Sequence, residues 1–293
     1  MTAVGFIGLG IMGTPMAAHL VAAGYRVSGY DVAPASVDRL VAAGGLAAGS
    51  IAGAVRDAAV VVTMLPDHPQ VEQVVLGAGG VLATAAPGVL LIDMSTIRPE
   101  TSIAIGTAGA RHGIRVLDAP VSGGQAGAQQ ATLSIMVGGD EADFVAARPI
   151  LEVLGKTIVH VGGHGAGQVV KAANQLVVAG SYALVSEAIV LLEAAGVDAK
   201  AGLDVLAGGL AASRILDLKR DSMIAREFQP GFRIDLHHKD MGIVLDAARQ
   251  AGVALPVSGL VAQLVAAARA AGYGSLDHSA LLKVIEQFAG RAA

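Results

Sequence analysis

Val4-Gly-Phe-Ile-Gly-Leu-Gly-Ile-Met-Gly13 decides how the rest of the chain is read. It opens as a short apolar run ending in glycine, the pattern of a buried strand. Ile11 to Ala23 then reads as a helix closed by Gly24. At the junction Gly8, Gly10 and Gly13 fall in the spacing G-x-G-x-x-G, with Leu9, Ile11 and Met12 between them. In a chain with 39 glycines that spacing alone is weak. Its setting, after a strand and opening a helix, gives it meaning. There the first glycine permits a tight turn, the second lets the backbone approach a pyrophosphate, and the third lets helix and strand pack closely. The amino end of the helix offers N–H groups and a positive dipole end to the phosphates.

The same alternation continues downstream. Arg26 to Asp31, Ala59 to Leu65, Val89 to Met94, Ile114 to Leu117, Thr132 to Val137 and Thr157 to Val161 read as strands. Pro34 to Ala43 and Pro99 to Arg111 read as helices. Strands alternating with helices imply a mostly parallel sheet covered on both faces, an α/β architecture. The pattern changes at Gly162-Gly163-His164-Gly165. Beyond it the signals are helical: Gly167 to Ala195, Ala199 to Leu206, Ser213 to Arg226, Leu236 to Ala251, Pro256 to Ala271 and Ser279 to Phe288. Two domains are therefore expected, 1–163 binding a dinucleotide and an all-helical 164–293.

Composition narrows the function. Hydrophobic residues make up 54% of the 293 residues and charged residues 15%, with 57 alanines. That excludes intrinsic disorder. A net charge of −4 with scattered lysines and arginines gives no field for nucleic acid or an anionic membrane. Absence of cysteine excludes disulfides, thiolate nucleophiles and cysteine-held metals. Leu176 to Leu192 approaches membrane length, but Ser181, Ser186 and Glu187 interrupt it, and a buried helix is expected instead. No secretory segment is evident at the N-terminus, so a cytoplasmic protein is expected. Alanine-rich helical faces point to self-association as a homodimer or homotetramer.

Asp31 lies at the end of the second strand, where a carboxylate accepts both ribose hydroxyls of an adenosine and repels a 2′-phosphate. Val32, Ala33 and Pro34 follow it rather than arginine, so NAD (NADH) is expected over its phosphorylated form.

Three later segments carry candidate chemistry. Asp118-Ala-Pro-Val-Ser-Gly-Gly124 puts Ser122, Gly123 and Gly124 in a turn after a strand, where successive N–H groups can hold a carboxylate. Gly167, Lys171, Asn174 and Val178 share one helical face. A lysine buried there would have its pKa lowered and serve as a proton donor, although a snorkelling surface lysine fits the same spacing. Asn174 could hold its amine or a substrate oxygen. His237-His238-Lys239-Asp240 invites a metal reading, which is set aside because adjacent helical positions point in different directions. No metal site is expected; a cationic Lys239 facing cofactor or substrate is.

These segments, in this order, resemble the β-hydroxyacid dehydrogenase family. Val4 to Gly13 looks like its dinucleotide signature, Asp118 to Gly124 like its substrate signature, Gly167 to Asn174 like its catalytic signature and Lys239-Asp240 like its cofactor signature. The resemblance implies a Rossmann-type domain, a helical domain contributing to oligomerisation, and a cleft between them. It implies Lys171 as acid/base, Ser122, Gly123 and Gly124 on the substrate carboxylate with Asn174 beside them, and Met64, Leu65, Pro66 and Thr96 flanking the cofactor. In the helical half, Gly208 to Ala211, Ile215 to Asp217, Pro230 to His237 and Asp277 to Leu281 look like the branch that reduces tartronate semialdehyde to D-glycerate. The same machinery would serve oxidation of 3-hydroxyisobutyrate. A non-catalytic NAD-binding protein would share the fold, but a binder needs no proton donor at Lys171.

Overall fold

The computed structural model describes residues 1–291. Two compact units divide the chain, Met1–Lys171 and Ala172–Ala293.

The first unit begins with β1 (Ala3–Ile7), α1 (Gly13–Ala22), β2 (Arg26–Tyr30), α2 (Pro34–Ala42), β3 (Leu46–Ala47) and α3 (Ile51–Val55). It continues with β4 (Val60–Thr63), α4 (His68–Leu76), α5 (Val81–Thr84), β5 (Leu90–Asp93), α6 (Pro99–Arg111) and β6 (Arg115–Asp118). Last come β7 (Val121–Ser122), α7 (Gly124–Gln129), β8 (Leu133–Gly139), α8 (Glu141–Leu154) and β9 (Gly155–Gly162). All strands join one sheet in the order β3-β2-β1-β4-β5-β6-β8-β7, with β9 on β8.

The expected parallel pairing holds from β3 to β6. β8 departs from it, running antiparallel to β6 and β7. A parallel neighbour needs a crossover of a dozen or more residues. Between β7 and β8 stands only the six-residue α7, so the chain turns back instead.

Every position of β4 and β5 is buried, as central strands under two helical layers must be. Alternation along the strands sends Phe6, Val60, Val62, Leu90 and Ile92 into one core with Met16, Leu20 and Leu151. It sends Ile7, Val61 and Leu91 into the other with Val71, Ile105 and Val116. At the start of α1 a side chain at Gly13 would overlap the Gly8 carbonyl and come within 3.1 Å of the Phe6 ring. Gly8 itself has φ +95°, and a Cβ there would overlap the Met64 carbonyl. Both glycines thus allow helix, turn and strand to touch.

α9 (Ala166–Ala194) starts in the first unit and continues through the second. α10 (Ala199–Ala207), α11 (Arg214–Ile224), α12 (Ile234–Ala251), α13 (Pro256–Ala268) and α14 (Leu281–Phe288) follow. Asp198 and Ser213 cap α10 and α11 through their side chains, and α12 ends at a left-handed Gly252. The core of this unit gathers Ala179, Tyr182, Ile189, Leu203, Met223, Met241, Val265 and Leu282. Asp277 is fully buried and accepts Lys219 Nζ at 3.0 Å, Gly231 N at 2.9 Å and Ser279 Oγ at 2.7 Å. Burial alone would raise its pKa; His278, Ser279 and Lys219 outweigh that and hold it to about 2.

One expectation needs correction. α9 is long and apolar enough to cross a membrane by length and composition, and only 39% of its most apolar window is buried. Ala179, Tyr182 and Ile189 enter the core, whereas Val177, Leu184 and Leu191 are 63%, 68% and 69% exposed. Burial inside this chain therefore accounts for one face of the helix, not for its full apolar girth.

Candidate active site

The glycine loop occupies the carboxyl end of β1, between Ile7 and Gly13. Leu9 N donates to Asp31 Oδ2 at 2.7 Å, and Ala33 N donates to Asp31 Oδ1 at 2.8 Å. The carboxylate that follows β2 is thereby tied to the glycine loop. Each oxygen keeps a further lone pair, enough for two ribose hydroxyls. Gly10 meets no protein atom within 4 Å of a would-be Cβ, so its backbone is open to an approaching ligand. An open glycine, a helix amino end and a fixed carboxylate are the groups that a dinucleotide's pyrophosphate and ribose require, and the cradle fits such a cofactor.

Met64, Leu65 and Pro66 follow β4, and Thr96 follows β5. Leu65 N donates to Ser95 Oγ at 2.9 Å, which joins the two loops. Below them Thr63 Oγ1 donates to the buried Asp93 at 2.7 Å. Burial raises the Asp93 pKa against the opposing pull of Ser95 and Thr63, and the neighbouring Asp118 adds to the rise.

Asp118 ends β6 and is 2% exposed. Its carboxylate accepts Gly165 N at 2.7 Å and Gln168 N at 3.2 Å, capping the start of α9. Burial lifts its pKa above the ordinary value, opposed by those two backbone bonds. A Cβ at Gly167 would lie 2.5 Å from the Met136 carbonyl and 2.7 Å from Asp118 Oδ2. The helix can press this closely on the sheet only with glycine at that position.

Lys171 stands one turn further along, 6% exposed. Its Nζ donates to the Val121 carbonyl at 2.7 Å. The ammonium is therefore inside the molecule, not snorkelling, and lies on the segment that carries Ser122, Gly123 and Gly124. Ser122 pairs with Ser134 of β8. Gly123 and Gly124 have φ of +133° and +58°, a backbone that glycine adopts cheaply. The first unit thus gathers Lys171 and the serine–glycine turn in one place.

Asn174 and Lys239 belong to the second unit, where Gln175, a residue outside the sequence expectation, and Asp240 connect them. Asn174 Nδ2 donates to Gln175 Oε1 at 2.8 Å, and Gln175 Nε2 donates to Asp240 Oδ2 at 2.5 Å. Lys239 Nζ sits 2.9 Å from Asp240 Oδ1. Gln175 and Asp240 are buried, so the bond between them is shielded from water, while Asn174 and Lys239 at the two ends are half-buried. The adjacent histidines part company, as helical geometry requires. His237 is buried, with Nδ1 3.1 Å from His278 Nδ1, while His238 is half-buried. Among the described residues no group of three or more His, Asp or Glu side chains is arranged to hold a metal.

Comparison with known proteins covers nearly the whole chain. The family pattern for the NAD binding domain of 6-phosphogluconate dehydrogenase matches residues 3–162. The pattern for NAD-binding of NADP-dependent 3-hydroxyisobutyrate dehydrogenase matches residues 165–285. Escherichia coli 2-hydroxy-3-oxopropionate reductase is 42% identical over 98% of both chains. NAD-dependent L-serine dehydrogenase of Pseudomonas aeruginosa is 38% identical, over 99% of this chain and 100% of its own. A solved structure of Mycobacterium tuberculosis 3-hydroxyisobutyrate dehydrogenase with L-serine superposes with a TM-score of 0.88 at 38% identity. It covers 97% of this chain and 99% of that one.

Proposed function

The chain belongs to the β-hydroxyacid dehydrogenase family of NAD-dependent oxidoreductases acting on CH–OH groups, and we propose that it reduces tartronate semialdehyde to D-glycerate with NADH. The observation that carries this reading is Lys171: a buried ammonium held 2.7 Å from the Val121 carbonyl, beside a serine–glycine turn. Relatives of similar identity bear the names of other hydroxy-acid substrates, so the choice among substrates rests on the helical-half motifs and the 42% relative.

When bound, the nicotinamide cofactor supplies a hydride for the aldehyde carbon. Gly8, Gly10 and Gly13 would take its pyrophosphate and Asp31 its adenosine ribose, with Leu9, Ile11 and Met12 completing the loop. Met64, Leu65, Pro66 and Thr96 would flank it and Lys239 would offer a positive charge. Ser122, Gly123 and Gly124 bind the substrate carboxylate. Lys171 gives its proton to the oxygen as the carbonyl becomes an alcohol, so no free alkoxide has to form. Asn174, held by Gln175, hydrogen-bonds the substrate beside it.

Self-association as a homodimer or homotetramer is part of the same reading. Val177, Leu184 and Leu191 recur every seven residues on the exposed face of α9, the period that paired helices share. Light scattering on the eluting protein should give a mass at least twice the monomer's, and Leu184→Lys should lower it. A wild-type monomer at micromolar concentration would refute this part.

Lys171→Ala should leave NADH binding nearly intact and cut turnover by ~10²–10⁴, the usual share of a general acid. Turnover surviving within a few-fold would make Lys171 a structural residue only.

Asp31 should make NADH preferred over NADPH, and Asp31→Ser should narrow the gap chiefly through KM for NADPH. Equal use of both by the wild type would remove that role from Asp31.

At saturating NADH, kcat/KM for tartronate semialdehyde should exceed that for methylmalonate semialdehyde by at least ~10-fold, or ~1.4 kcal/mol. The 2-hydroxyl pairs with Ser122 and Asn174, whereas a methyl group leaves them unsatisfied. The opposite preference would assign the chain to 3-hydroxyisobutyrate chemistry.

A further inference from the structure

The first turn of α9 carries a side chain that the mechanism above leaves unused. Gln168 is 1% exposed, and both ends of its carboxamide are engaged. Its Nε2 donates to the Ser95 carbonyl at 2.8 Å, and its Oε1 accepts Ile97 N at 3.1 Å. The two bonds straddle Thr96 much as a neighbouring strand would, although β5 has already ended at Asp93. Ser95 is fixed from two other sides. Its Oγ accepts Leu65 N at 2.9 Å, and its own N–H reaches Asp93 Oδ1 at 3.3 Å. The loop after β5 is therefore set by a residue of α9, three positions before Lys171 and anchored with it by Asp118.

The sheet topology says what that loop faces. In a doubly wound sheet a dinucleotide lies across the carboxyl ends of the strands, with one mononucleotide on each side of the first strand. Asp31, after β2, marks the adenosine side. β4, β5 and β6 lie on the other side of β1, so Thr96 stands on the nicotinamide side.

We propose that Gln168 is a positioning residue that holds Thr96 against the nicotinamide half of the cofactor and couples that loop to the helix bearing Lys171. The proposal rests on the reading of Thr96 as a cofactor-flanking residue.

The amide is suited to this task because it donates to one backbone group while it accepts from the other. Gln168→Met matches the shape but leaves the Ser95 carbonyl and Ile97 N–H buried without that partner. Gln168→Glu keeps the acceptor and sets a carboxylate against a carbonyl. The test measures equilibrium binding of NADH by fluorescence and of ADP-ribose by calorimetry, with no substrate present. ADP-ribose carries the pyrophosphate and adenosine but lacks the nicotinamide. Both Gln168 variants should lose about tenfold or more in NADH affinity, the scale of one unsatisfied buried polar group, and hold ADP-ribose within about twofold. Thr96→Ala should show the same selective loss, and Thr96→Ala with Gln168→Met should be no weaker than the weaker single variant. NADH affinity kept within twofold in the Gln168 variants would overturn the proposal. So would parallel loss of both ligands, or failure of both variants to fold, since Gln168 would then be a packing residue. If Thr96→Ala leaves NADH binding unchanged, the Thr96 reading itself falls, independently of Gln168.

Discussion

The carboxylate of Asp118 is the constraint on which the first unit's chemistry depends. It ends a buried strand and takes two N–H groups from the start of a 29-residue helix. A buried carboxylate is costly unless it is hydrogen-bonded. A helix amino end supplies both the donors and a favourable dipole. Bonds to a charged acceptor are worth about 1.5–3 kcal/mol each, so two of them offset much of the burial cost. The close approach needs glycine on both sides: a Cβ at Gly138 or Gly167 would each come within 2.7 Å of an Asp118 carboxylate oxygen. Once the cap is fixed, the register of α9 is fixed. Gln168 then meets the loop after β5, and Lys171 meets the carbonyl of Val121.

Such an arrangement explains how a lysine is kept inside an apolar helix. Its ammonium has a short, strong acceptor, and its position follows from helix geometry rather than from a flexible loop. In the proposed mechanism Lys171 would gain from being held on a rigid element, because small misplacements cost large factors in rate. The second unit uses the same device on Asn174. An amide next in sequence, Gln175, is braced by a buried carboxylate on another helix.

Much of this was legible in the sequence, and for physical reasons. Short apolar runs marked β1, β2, β4, β5 and β6, and Pro99–Arg111 was read to the residue. Glycine spacing, the acid after β2 and the lysine of α9 were legible because each is a local pattern. What escaped detection lacked such a signal. α8 has buried residues at 147, 150, 151 and 154, a helical spacing, but Pro149 inside it suppresses the helical reading. β3 and β7 have two residues each and exist only through pairing. The antiparallel turn of β8 depends on α7 being too short to cross the sheet. Gln168 and Gln175, and the bond that joins Gln175 to Asp240, were missed because the partners lie 65 to 73 residues apart, where no sequence period reaches.

Fold and family do not fix a substrate, since one scaffold serves many chemistries. What the family does fix is the reaction class: hydride passes between a nicotinamide and a carbon bearing oxygen. The most direct measurement incubates the enzyme with tartronate semialdehyde and NADH deuterated at C4 on one face or the other, and follows the label by NMR and mass spectrometry. Direct hydride transfer to the aldehyde carbon puts deuterium on C3 of D-glycerate from one of the two labelled forms, one per NADH oxidised. Glycerate without deuterium from either form, or NADH left unconsumed, would contradict it.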